Sequence, residues 1–146
     1  MGNRVAAAAY YAWLGIRDYE AQVKLGAVTE RVPFTRREPT AEELAAARAL
    51  LASDQEAPEA EKLYAHETLA IHEEPLQQMT PIMALRVGDL GIVGQPGEIF
   101  VNYGLQIKER SPFGRTFTVE LANDYVGYCP TDQALDEGSY ETRLAR

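Results

Sequence analysis

The sequence predicts an α/β (or α+β) fold: a mixed sheet with a β-hairpin near residues 82–94, flanked by helices. Three observations carry this. Two apolar runs, 81–87 and 90–94, are separated by Gly88-Asp89, a pair suited to a tight hairpin turn. Apolar residues recur at helical spacing after Pro96-Gly97-Glu98, as Ile99, Tyr103 and Ile107. A β-rich run, 117–121, then follows, and alternation of strands and helices defines the class.

The elements follow in order. Residues 4–15 are Ala-rich and apolar nearly all round, a helix expected to be buried on most sides. The apolar run from Val5 to Ile16 follows Arg4 but lacks a cleavage pattern, and Arg17, Asp18 and Glu20 come at once, so a helix is favoured over a signal peptide. Residues 21–36 carry Val23, Val28, Val32 and Phe34 among charged residues and predict one or two strands. Thr40-Ala41-Glu42-Glu43 is a capping-box sequence: the Thr40 hydroxyl accepts from the Glu43 amide and the Glu43 carboxylate reaches back. That helix runs to about Ser53, with Leu44, Ala47 and Leu51 on one face, and a linker from Ser53 to Pro58 leads to a second helix over 58–73 carrying Leu63, Ala70 and Ile71. Helix is expected over 98–110 and strand over 117–121. The chain is read as a single domain, 1–146, with a helix-rich portion at 1–79 and a motif-bearing portion at 80–146.

Composition narrows the function. The 146 residues suffice for one domain with a core, and 46% apolar with 25% charged residues is ordinary for a globular protein. A net charge of −8 argues against nucleic acid or an anionic membrane as the main partner, and the local cluster Arg31, Arg36, Arg37 is read as solvated. One cysteine, Cys129, excludes an internal disulfide and a Cys-based zinc site. No apolar run reaches the roughly 18 residues that predict a membrane span.

Two places could carry chemistry. Gly97 permits a sharp turn or close approach, and Glu98 is expected in the first helical turn, where the macrodipole favours its ionised form; it is either a metal ligand or base, or an ordinary first-turn acid, and spacing alone favours the latter. The second is Asn123-Asp124-Tyr125-Val126-Gly127-Tyr128-Cys129-Pro130-Thr131. Its tyrosines could donate to an oxyanion or bind a metal, or simply pack in a loop. His66 and His72 are six residues apart, a poor spacing for one helix face, and are read as surface or packing residues. Cys129 as a nucleophile finds no histidine near it in sequence.

Three segments in order, 85–98 ending in Pro96-Gly97-Glu98, then Asn123-Asp124-Tyr125-Val126-Gly127-Tyr128, then Gly138-Ser139-Tyr140-Glu141, resemble the neutral/alkaline ceramidase superfamily, and more closely its bacterial ceramidase-like members. The resemblance covers residues 80–145 well and the first 80 loosely. It implies a Zn2+-dependent amidohydrolase that cleaves the amide of a ceramide-like lipid. It implies Glu98 and Tyr128 as metal ligands, and Tyr128 and Tyr140 as catalytic residues. The family's histidine ligands come from its N-terminal half, and nothing here matches them. The expectation is therefore a C-terminal half of a hydrolase domain, completed by a missing N-terminal half or a partner chain. The alternative is a non-catalytic, degenerate or partner-completed domain acting as an interaction module. Family members are often exported, but this chain carries no convincing signal peptide.

Overall fold

The computed structural model describes residues 1–53, 56–143 and Ala145. In chain order the elements are α1 (Gly2–Leu14), β1 (Leu25–Thr35), α2 (Ala41–Ala52), α3 (Glu59–Glu73), β2 (Gln77–Val87), β3 (Leu90–Gly94), β4 (Glu98–Ile99), α4 (Val101–Arg110), β5 (Arg115–Val119), β6 (Tyr128–Cys129), α5 (Asp132–Glu137) and α6 (Tyr140–Arg143).

Strands β2 and β3 form the predicted antiparallel hairpin, with Val87 opposite Leu90 and Gly88 at φ +61° in its turn. A two-residue turn of this kind needs left-handed backbone, which glycine adopts without steric cost. Strand β1 pairs antiparallel along the whole of β2, from Leu25 opposite Val87 to Thr35 opposite Gln77. Helix α4 carries the chain back so that β5 lies parallel to β3, giving the mixed sheet order β1-β2-β3-β5.

Residues 21–36 thus supply one long strand, and the helix expected over 98–110 begins at Val101. Residues 98–100 are diverted because their amides have other partners: Glu98 N donates to the Gly127 carbonyl (2.9 Å) and Phe100 N to that of Cys129 (3.2 Å). Strand pairing therefore wins over the helical first turn, and Glu98 has no place at a helix N-terminus. The strand expected at 117–121 lies at 115–119, because Leu121 turns to φ +53° and leaves the extended region.

The helical hairpin forms as read. Glu43 N donates to Thr40 Oγ1 (3.2 Å) and Thr40 N to Glu43 Oε2 (2.7 Å), closing the capping box, an arrangement worth about 1 kcal/mol. Leu44 and Ala47 of α2 and Ala65 and Ile71 of α3 are the buried apolar residues of this hairpin. Residues 54 and 55 of the expected linker lie outside the described residues. Buried Arg36 joins the hairpin to the sheet: its Nη2 donates to the carbonyls of Glu74 (2.7 Å) and His72 (3.5 Å) at the end of α3. Arg31 donates to the Met79 carbonyl and Arg37 pairs with Glu43 at 3.1 Å. The arginine cluster is thus structural, tied to backbone and carboxylate.

Register places Ala27, Leu85, Ile92 and Phe117 in one row across the sheet, flanked by a row containing Leu25, Val87 and Leu90 and one containing Met83 and Val119. Side chains alternate along a strand, so these rows share one face. Much of that face is exposed: Leu25 is 75% exposed and Phe117 58%. The opposite face, with Val32, Phe34, Thr80 and Ile82, looks toward α4 across a cleft of about 540 Å3.

Helix α1 corrects a second expectation. It carries no buried residue, and Tyr10, Tyr11 and Trp13 are all more than half exposed, packing on one another with centroids 5.8 and 6.3 Å apart. An apolar pattern sets what a helix would bury against; among the described residues nothing covers it. Trp13 is the only tryptophan, so emission reports this helix. Acrylamide should quench it nearly as efficiently as free indole; strong protection would show that α1 is docked.

Candidate active site

The candidate site is built by two segments that run parallel twice. Beyond the β3–β5 pairing, the chain after Gly94 passes through buried Gln95, Pro96 and Gly97 into β4, and the chain after Val119 returns to it as β6. Gln95 N donates to the Val119 carbonyl (2.8 Å) and Ala122 N to that of Gln95 (2.8 Å). Val126 N donates to the Pro96 carbonyl (2.8 Å), and Val126 is wholly buried. Thr80, 2% exposed, donates to Asp124 Oδ2 (2.9 Å) and fixes the intervening loop from beneath. Gly97 has the role expected of it: a Cβ there would lie 2.6 Å from the Gly127 carbonyl oxygen and 2.9 Å from Val126 Cγ2.

The consequence is register. Glu98 stands opposite Tyr128 and Ile99 opposite Cys129 in a parallel ladder. Alternation then sends Glu98 and Tyr128 to one face and Ile99 and Cys129 to the other. Ile99 and Cys129 do line the apolar cleft beneath α4, whereas neither Glu98 nor Tyr128 does. The cleft and the polar pair therefore occupy opposite sides of the ladder.

Tyr140 joins the pair at the start of α6, its ring meeting that of Tyr128 edge-on (centroids 5.9 Å, 86°). The Tyr128 phenol is held well above its ordinary range, first by hydrogen bonding with Tyr140, then with the Glu98 carboxylate. Tyr125 completes the cluster, its hydroxyl donating to Glu98 Oε1 at 3.4 Å. The first tyrosine of the Asn-x-Tyr-x-x-Tyr segment was legible as a polar-tipped residue, but its reach to Glu98 depends on a loop path through left-handed Asn123 (φ +71°) that spacing does not define.

Two other groups with candidate chemistry fall elsewhere. Burial raises the Cys129 thiol to about 11, so it stays protonated and lacks the thiolate character a nucleophile needs. His66 is exposed on α3, and His72 lies 3.8 Å from Glu38 with its carbonyl held by Arg36.

As a metal site the donors fit half of what is required. Glu98 and Tyr128 offer two oxygen ligands on one face. Among the described residues no cluster of three or more His, Cys, Asp or Glu could hold an ion. Zinc sites need about four ligands, with imidazole prominent among them.

No protein-family model and no curated protein matches the chain. Solved structures do. The neutral ceramidase from Pseudomonas aeruginosa superposes with TM-score 0.50 at 20% identity, over 83% of this chain and 25% of that one. The fold is that of part of a neutral ceramidase. A ceramidase complexed with C2 matches 46% of this chain and 12% of its own at 25% identity, with TM-score 0.41. The chain thus spans about a quarter of the first of these proteins.

Two outcomes follow. Gly97→Ala should lower the unfolding free energy by about 2 kcal/mol or more, because backbone cannot yield as a side chain tip can; urea denaturation measures it, and an unchanged midpoint would refute the close approach. Cys129 should be alkylated by iodoacetamide at pH 8 about a hundredfold more slowly than a free thiol; reaction at the free-thiol rate would show it to be unburied.

Proposed function

We propose that this chain supplies one part of the active site of a zinc-dependent amidohydrolase of the neutral ceramidase type, cleaving the amide of a ceramide-like lipid to an amine and a fatty acid. The observation that carries this is the register of the β4–β6 ladder, which holds Glu98 beside Tyr128 with Tyr140 edge-on to it. The ceramidase-like fold supports the same reading.

In the complete site Glu98 and Tyr128 would hold the metal together with histidines from an N-terminal half or a partner chain. Zinc bound there would supply Lewis acidity and lower the pKa of a water toward neutrality. The residues here do the rest. Glu98 would contribute a carboxylate oxygen, and the Tyr125 hydroxyl donating to its Oε1 limits its rotation. Tyr128, set beside Glu98 by the ladder, would share in holding the metal and steady the oxygen of the scissile carbonyl as negative charge develops there. Tyr140 braces the Tyr128 ring from its edge.

The exposed sheet face favours a second reading, an interaction module completed by another chain without chemistry of its own. An apolar face of this extent marks an interface. The two readings separate on one variant. In the protein completed with its histidine-bearing part, Glu98→Ala should reduce zinc-dependent amide hydrolysis by more than about a hundredfold, beyond the 10–100-fold typical for groups that only orient a ligand. The chain by itself should show no turnover. Unchanged hydrolysis in Glu98→Ala would remove the metal role of that residue; absence of hydrolysis in the completed parent would favour the interaction module.

A further inference from the structure

We propose that Arg143 is a positioning residue for Tyr140: by clamping α6 onto α3 through Glu61 and Tyr64, it sets the edge-on contact between Tyr140 and Tyr128. This rests on the reading of Tyr140 as a site residue. The clamp is formed by groups far apart in sequence. Arg143 Nη1 donates to Glu61 Oε1 (3.0 Å) and Nη2 to Glu61 Oε2 (2.7 Å), a two-pronged pairing, while its guanidinium lies 4.0 Å from the centre of the Tyr64 ring. A planar fork fixed at two oxygens and stacked on a ring defines an orientation that a point charge would not.

The need for a clamp follows from the length of α6. Its four residues, Tyr140–Arg143, form a single turn, and a single turn has no stability of its own. Its local hydrogen bonds, Ser139 N to Thr142 Oγ1 (2.9 Å) and Thr142 Oγ1 to the Ser139 carbonyl (2.8 Å), close the turn on itself without orienting it against the rest of the chain. Tyr140 is 59% exposed and so is not held by burial. Because those bonds close the turn, Tyr140 and Arg143 sit on one short unit, and anchoring Arg143 limits where Tyr140 can lie. On the other side of Arg143, buried Ala145 forms a parallel bridge with Tyr128 itself. Tyr128 therefore meets this segment on both sides of the clamp, by ring contact at 140 and by backbone at 145. The helical hairpin, remote from the site in sequence, is in this way tied to it.

An exposed ion pair contributes little to global stability, and that separates positioning from a merely structural role. The experiment installs 3-fluorotyrosine at position 140 of the 146-residue chain and records its 19F resonance, with no zinc and no turnover involved. The outcome is therefore independent of whether the hydrolase reading holds. In the parent the resonance should be displaced from that of free fluorotyrosine, and Tyr128→Leu should abolish the displacement. Arg143→Ala and Glu61→Ala should each remove at least half of it while the melting temperature moves by no more than a few degrees. The double variant should go no further than either single one, as expected of one coupled pair. A resonance unmoved by either single variant, additive shifts in the double, or a parent with no displacement would each overturn the proposal.

Discussion

The parallel ladder between Glu98-Ile99 and Tyr128-Cys129 is the constraint on which the candidate site depends. It is only two residues long, yet it decides which side chains meet. It forms because two segments already paired as β3 and β5 are kept together past the end of the sheet by amides donating across Gln95, Pro96 and Gly127. The approach is close enough that position 97 has no room for a side chain. A slip of one residue would exchange the two faces and put Ile99 beside Tyr128. Thr80 and Asp124 secure the loop that sets this register.

The same alternation partitions the molecule. Apolar side chains fall toward the cleft beneath α4, and the acid and the tyrosines fall outward, where their neighbours tune one another. Meanwhile one face of the sheet and the whole of α1 present apolar surface to solvent. A sheet apolar on both faces belongs between two layers.

Much of this was legible in the sequence. The Gly88-Asp89 hairpin, the capping box at Thr40 and the two helices at 41–52 and 59–73 follow from local rules, because turn chemistry and caps act within a few residues. The convergence of Glu98, Tyr128 and Tyr140 came from resemblance, and the fold brings all three together. What local pattern misplaced was the environment of Glu98: a helical first turn was expected, and the Gly127 carbonyl, just before β6, claimed its amide instead. The burial expected of α1 failed for a related reason, since periodicity describes a surface and not what covers it. Tyr125 against Glu98, and Arg143 against Glu61 across 82 residues, are tertiary contacts with no local signature.

The proposed function requires Glu98 and Tyr128 to act as half of a metal site that imidazole would complete. Zinc titration by calorimetry, with and without added free imidazole, tests it on the chain as it stands. The expected result is one-to-one binding that is weak alone, strengthens as imidazole supplies nitrogen ligands, and loses that enhancement in Glu98→Ala and in Tyr128→Phe. Equal imidazole-dependent binding by the parent and both variants would contradict it.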